Sequence, residues 1–230
     1  MGYAASFAVS AQSAVAIGSY SLAQGEDSIA IGGDALTTVG ASTNSARAIA
    51  VGNNTLAWGA DAIAIGTNAN SGAADAIAIG TASIADAVGK VAIATNSGTA
   101  GDAQSIKFIC TGTTTDATPK VINPDGGTTN RMILAASSAW AFNIQLVVRE
   151  NATGDTRTRR YEGTIKRDAF AATAIVGTVT AGTTEGDAGG TWTAAISADN
   201  DAEALQILVT GEAAHTLRWV AVVDAVEVRN

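Results

Sequence analysis

The sequence predicts an all-β protein in two parts: a parallel roll of short repeats over residues 1–104, and an antiparallel β-sandwich or jelly-roll-like domain over residues 105–230. Three observations carry that expectation. An apolar five-residue word, ending in glycine in all but its last copy, recurs six times before residue 95. Isoleucine or valine alternates with alanine inside the words. Beyond Ser105 the chain becomes rich in charged, aromatic and β-branched residues in place of alanine and glycine.

The words are AVAIG ending at Gly18, SIAIG at Gly32, AIAVG at Gly52, AIAIG at Gly66 and Gly80, and KVAIA at Ala94. Their spacings are 14, 20, 14, 14 and 14, so one unit carries six extra residues, best placed in a loop within GGDALTTVGASTNSARAIAVG. Self-similarity at a fixed period is the signature of a stacked repeat. Within a word the period-2 alternation is that of a short strand, with Ile63 and Ile65 on one face and Ala62 and Ala64 on the other. A helix would need apolar residues at three- and four-residue steps instead.

Four residues after the glycine stand Leu22, Leu36, Leu56 and Ile84, with Asn70 breaking the pattern. Asp34, Asn54 and Asn68 occupy a turn slot two residues after the glycine, with Tyr20 and Ala82 as exceptions. Asn and Asp tolerate the left-handed conformation of a tight turn, and glycine adopts it without steric cost. Each unit therefore reads as strand, turn, short strand, turn. The repeat residues Ile17, Gly18, Ile31, Gly32, Val51, Gly52, Ile63, Ile65, Gly66, Ile77, Ile79 and Gly80 are expected to stack lap on lap. Six laps at a strand spacing of about 4.8 Å give a rod roughly 30 Å long. The expectation is an inward column of Ile, Val and Leu, with a flat alanine face that packs against symmetry-related copies.

Composition points to assembly as well. Aromatic residues are 5% and charged residues 15% of the chain, and much of the 47% hydrophobic fraction is alanine, which stabilises little per residue buried. A shared core in an oligomer offsets that.

In the second part, IKFIC (106–110) reads as a strand, followed by a loop, TGTTTDATPKVINPDGGTTN, that holds both prolines. RMILAA comes next. WAFNIQLVVRE, the turn NATGD and TRTRRYEGTIKRD then form a hairpin, with Phe142, Ile144, Leu146 and Val148 alternating against mostly polar neighbours. ATAIVGTVT, TWTAAISA, EALQILVTG and HTLRWVAVVDAVEVRN complete a series of strands divided by turns, the pattern of a sandwich or jelly roll.

The words SIAIG, AIAVG and AIAIG at fourteen-residue spacing, with Asn and Gly in the turns, resemble the head repeats of trimeric autotransporter adhesins. Over roughly residues 10–100, the resemblance implies a left-handed parallel β-roll in which three chains form one head. Those adhesins continue into a coiled-coil stalk and end in membrane-barrel strands, whereas residues 105–230 show neither heptads nor such an anchor. Head repeats of this kind also occur in bacteriophage fibre proteins, which need no anchor of their own. The stretch LQILVTG…LRWVAVVDAVEV loosely resembles C-terminal β-domains of phage fibre and virion-surface proteins.

Several function classes recede. A net charge of −8 gives no broad field for nucleic acid. No apolar run approaches the eighteen or so residues of a membrane span, the start lacks a basic signal-peptide region, and MGYAAS matches a myristoylation pattern only formally. Cys110 is the only cysteine and His215 the only histidine, so neither a disulfide nor a His/Cys zinc site is available within the chain. No nucleophile elbow accompanies His215, and Cys110 sits in an apolar strand. The expectation is a non-enzymatic protein without cofactor or catalytic residues.

Candidate surface-binding residues are Trp58, in the turn region TLAWGAD, and the cations Arg157, Arg159, Arg160, Lys166 and Arg167. Trp58 suits either stacking on a sugar or packing between protomers. The cations suit an anionic surface, or the open face of a sheet paired with acids. Five residues before each repeat glycine, and before Ala94, stand Ser13, Asp27, Arg47, Asp61, Asp75 and Gly89. Asp61 and Asp75 form an edge column able to bind a cation, or a solvated edge relieved by Arg47. EGDAGG (185–190) lacks calcium-loop spacing and reads as a turn.

The sequence reading is of a homotrimeric bacteriophage fibre on the virion surface, a tail fibre or a capsid-decorating head fibre, attaching multivalently to a host surface. At 230 residues it is short for a tail fibre. Its partners would be capsid or tail proteins and a host-surface glycan, with no nucleic acid and no membrane insertion. The alternatives are a bacterial surface adhesin head fragment, a capsid decoration protein with no receptor role, and a polysaccharide-degrading spike, for which fourteen-residue coils leave little room.

Overall fold

A lap that is fourteen residues long closes by placing two short strands back to back, and stacked copies then satisfy one another's backbone groups. The computed structural model describes residues 6–7, 11–18, 21–33, 36–37, 46–95, 98–170, 172–187 and 190–230. Expectations for Tyr20, Asp34, residues 38–45 of the longer unit and the opening MGYAA lie outside the described residues. The chain divides into two units, Met1–Ile106 with Asn230, and Lys107–Arg229.

In the first unit, strands β2 (Val15–Ile17), β4 (Ile29–Ile31), β6 (Ile49–Val51), β8 (Ile63–Ile65), β10 (Ile77–Ile79) and β12 (Val91–Ala94) stack in parallel. Alternating with them along the chain are the two-residue strands β1 (Ser6–Phe7), β3 (Leu22–Ala23), β5 (Leu36–Thr37), β7 (Leu56–Ala57), β9 (Asn70–Ser71) and β11 (Ile84–Ala85), which form a second parallel sheet. Like residues pair lap to lap, Ile63 with Ile49 and Ile77, and Ala64 with Ala50 and Ala78. Ile29 pairs with Ile49, so the six extra residues leave the register intact. The first unit is a β-solenoid, and among the described residues there is no helix.

The direction of the faces corrects the sequence expectation. Ala30, Ala50, Ala64, Ala78 and Ala92 are fully buried, as are Ala23, Ala57, Ser71 and Ala85 from the facing sheet. The isoleucines point out: Ile17 is 56% exposed, Ile65 41% and Ile93 53%. The two sheets of one lap lie so close that only methyl and hydroxyl groups fit between them, and an inward isoleucine would overpack the gap. The break at Asn70 follows from the same geometry. That slot is half-exposed, and its neighbour Ser71 is the residue that faces in.

Two devices hold the turns. The slot two after the glycine is left-handed at Asn54, Asn68 and even Ala82, with φ of 50°, 59° and 58°. So is the slot five before the glycine, at Ser13, Asp27, Arg47, Asp61 and Asp75, with φ between 52° and 59°. Asn54 Nδ2 donates to Asn68 Oδ1 at 2.7 Å, and the Thr55 hydroxyl donates to the Gly66 carbonyl at 2.6 Å, both linking adjacent laps. At the far end, the Gln104 amide accepts from the Ile84 N–H and donates to the Ile84 carbonyl, each at 3.1 Å. A side chain there takes the place of a next lap on β11.

The second unit is an antiparallel sandwich. One sheet has the order β18 (Thr173–Ala181), β17 (Thr156–Arg167), β16 (Ser138–Glu150), β22 (Leu217–Arg229), β13 (Gln104–Thr114), with β19 (Glu185–Gly186) also on β17. The other holds β14 (Lys120–Ile122), β21 (Ala204–Thr210) and β15 (Met132–Ile133), with β20 (Thr193–Asp199) on β21. The expected hairpin is in place, running from Ser138 opposite Arg167 to Arg149 opposite Thr156. The loop expected between residues 111 and 130 is interrupted by β14, which pairs with β21. Phe108, Trp140, Ile144 and Trp219 fill the core against Ile122, Leu205 and Ile207.

Candidate functional site

The feature of the first unit with the clearest capacity to act is its outward apolar ladder. One column, immediately before the repeat glycine, is Ile17, Ile31, Val51, Ile65, Ile79 and, before Ala94, Ile93. A second column, two residues earlier, is Val15, Ile29, Ile49, Ile63, Ile77 and Val91. Part of this set, Ile17, Ile31, Val51, Ile63, Ile65, Ile77 and Ile79, is expected from the sequence to stack facing inward. The remaining members, Val15, Ile29, Ile49, Val91 and Ile93, carry the same signal, an apolar residue one or three places before the glycine slot. The ladder is half-buried to exposed along its length, and five strand spacings of about 4.8 Å make it roughly 24 Å long. A continuous apolar strip of that kind marks an interaction surface.

On another edge of the lap, Arg47 grips Asp61 with a fork, Nε and a terminal nitrogen each 2.6 Å from a carboxylate oxygen. That hydrogen bond holds the Asp61 carboxyl below its ordinary value. The edge column is a row of left-handed turn residues with an ion pair within it. Among the described residues, no group of three or more His, Cys, Asp or Glu is arranged to hold a metal ion. Trp58 follows β7 directly, with its N–H bonded to the Ser71 carbonyl at 2.9 Å and its side chain 49% exposed.

The five expected cations do not form one patch, because strand alternation divides them. Arg157 donates to the Trp192 and Gly190 carbonyls at 3.0 and 2.8 Å and lies 5.6 Å from the centre of a Trp192 ring. Arg159 donates to the Gly182 carbonyl at 3.1 Å and lies over Tyr161. Arg167 bonds the Leu134 carbonyl at 2.8 Å and pairs with Glu203. Lys166 pairs with Asp168 at 2.9 Å. Arg160 is exposed on the opposite face from Arg157, Arg159 and Arg167.

His215 Nδ1 lies 2.7 Å from Glu150 Oε1, a pairing that ties the start of β22 to the end of β16. Cys110 is buried, 3.5 Å from the Met132 sulfur, and burial pushes its thiol up to about 12. A thiol so protonated at neutral pH is a poor nucleophile.

Residues 10–35 and 44–69 each match the family model described as the YadA head domain repeat. No curated protein matches the chain. Together with the solenoid, the two copies show a head-repeat β-roll of the kind that trimeric autotransporter adhesins carry. They mark that stretch as an adhesin-type head segment. Heads of this type are in general homotrimeric and surface-exposed.

Proposed function

We propose that three copies of this chain pack their isoleucine ladders together to form the head of a fibre that attaches to surfaces and catalyses no reaction. The carrying observation is the inversion of the roll, with alanine inside and isoleucine outside. Each half-exposed isoleucine that becomes buried adds on the order of 1 kcal/mol, so a two-column ladder supplies what the alanine interior lacks. The general homotrimeric habit of YadA-type heads supports further copies of the same chain as the occupant. A rigid trimer presents three copies of a weak site at fixed spacing, and avidity then replaces single-site affinity.

We read the fibre as a bacteriophage component, on the tail or as a capsid decoration, with a host-surface glycan as receptor. In support, β12 ends at Ala94 and the antiparallel domain begins with β13 at Gln104, with no heptad-bearing stalk between. A bacterial surface head is the second reading, favoured by the YadA repeat itself. Gold-labelled antibody on purified particles and on cells separates them, because label on the virion supports the first and label confined to cell envelopes supports the second.

Light scattering tests the assembly. The expected mass is three times the 22.8 kDa chain, and Ile65→Asp combined with Ile79→Asp is expected to give a folded monomer. A wild-type protein that runs as a monomer at micromolar concentration overturns the trimer.

A further inference from the structure

Of the five cations on β17, Arg157, Arg159, Lys166 and Arg167 each have a partner, whereas among the described residues Arg160 has no ion pair. Arg160 borders a groove of about 490 Å³ on the outer face of the larger sheet. Two cross-strand rows build its floor. In one, Arg160 stands opposite Gln145, and Gln145 opposite Val222. In the other, Glu185 stands opposite Thr158, Thr158 opposite Val147, and Val147 opposite Val220. Residues directly opposite share a face, so both rows run from a charged rim to a valine floor. Glu185 also has no ion pair among the described residues, although Arg159 and Arg160 line the same groove.

The wall on the charged side is fixed at both ends. Gly182 N–H donates to the Arg160 carbonyl at 2.9 Å, and Arg159 Nε donates to the Gly182 carbonyl at 3.1 Å. Further along, the Asp187 carboxylate accepts from the Thr156 N–H at 2.7 Å, next to the β17–β19 pairing. A concavity held in this way is formed before a ligand arrives, which lowers the ordering cost of binding.

We infer that this groove binds an uncharged pyranose sugar of a surface polysaccharide, an assignment that deepens the attachment reading and rests on it for its biological setting. A pyranose has a C–H face and a rim of hydroxyl groups. The valines present a dry floor to the first. For the second, a guanidinium fork donates to two neighbouring oxygens, a carboxylate accepts from two neighbouring hydroxyls, and Gln145 and Thr158 both donate and accept. Arg160 and Glu185 offset each other, the third charged residue of the lining, Arg159, is held on the Gly182 carbonyl, and the chain as a whole carries −8, so a polyanion is disfavoured. The groove volume lies within the ~300–1,000 Å³ of small-ligand sites.

The test uses the full chain with dextran, mannan and galactan as neutral probes and hyaluronate as the anionic one, with binding measured by calorimetry. At least one neutral probe is expected to bind, and Arg160→Ala and Glu185→Ala are each expected to weaken it about tenfold or more. Lys166→Ala, a cation of the same strand outside the groove, is expected to bind like wild type. The assignment is overturned if none of the three neutral probes binds, or if Lys166→Ala weakens binding equally. Hyaluronate binding that is lost in Arg160→Ala and strengthened in Glu185→Ala overturns it too. Should a groove variant fail to fold, the Gln145 side-chain amide signal of the wild type decides, since it must shift on titration with the bound probe. The groove belongs to one chain, so a trimer that binds no sugar refutes the groove alone, and a monomer that binds sugar refutes only the trimer.

Discussion

Ala64 is fully buried in the roll, whereas Ile65, the next residue, is 41% exposed. The pair separates fold stability from assembly. Ala64→Leu forces extra methylenes between the two sheets of a lap and is expected to cost about 1–3 kcal/mol, whatever the protein concentration. Ile65→Ser is expected to lower the denaturation midpoint chiefly by weakening assembly, so its effect vanishes at concentrations too low for assembly and grows to a plateau as protein concentration rises. Urea denaturation at two concentrations distinguishes the two behaviours.

The repeat glycines answer to a different constraint. At Gly66, φ is 127° and a Cβ would lie 2.5 Å from the Gly80 carbonyl of the next lap. Gly59→Ala meets the Ala73 carbonyl in the same way. Gly66→Ala is expected to cost at least about 1–3 kcal/mol, the range for a non-glycine residue held in a sparse backbone region. Gly98→Ala has a φ of 82° but open space around the new carbon, so a smaller loss is expected. Thermal melting of the two variants side by side checks the order.

Gln104 is expected to matter more than its place at the end of the roll suggests. It is 1% exposed and bonds both backbone groups of Ile84. Gln104→Ala leaves those groups without this partner, at an expected cost of about 1–3 kcal/mol. Hydrogen exchange at the Ile84 amide is expected to speed up more than exchange at the Ile77 amide. Equal exchange rates in variant and wild type would show that the end of the roll is held by other means.

Acid is expected to loosen the second unit at Glu150. The Thr153 hydroxyl bond at 2.7 Å, opposed by burial and reinforced by His215, holds the Glu150 carboxyl below its ordinary value. A depressed acid contributes stability that is complete above its unfolded pKa, about 4.3, and is lost as pH falls through the folded value. Between pH 5 and 3 the melting temperature followed by tryptophan fluorescence is therefore expected to fall less steeply in Glu150→Gln than in wild type. Trp140, Trp192 and Trp219 all report on this unit. Parallel slopes would rule the contribution out.

The lap length, the two strands per lap and the β16–β17 hairpin were legible in the sequence, because each rests on a local period or a turn signal. The sense of the roll faces was not. Alternation of Ile63, Ala64 and Ile65 assigns two faces but gives neither a sign, and hydrophobicity alone favours turning isoleucine inward. Only the narrow gap between the sheets decides for alanine. The left-handed slot at Asp27, Asp61 and Asp75 had a signal in its Asp, Ser and Gly content, which Arg47 obscured. The short strand β14 stands in a stretch between two prolines and is fixed by its pairing with β21, a contact remote in sequence. The cations of β17 were legible as residues and not as a site, since the partners that engage Arg157 and Arg167 come from distant segments.

The unbroken pairing of Ile29 with Ile49 has a practical corollary. Added length between β5 and β6 leaves the rungs on either side in step, so foreign sequence inserted between those strands need not retune their neighbours. A scaffold of this sort can vary what it displays there while its width and pitch stay constant.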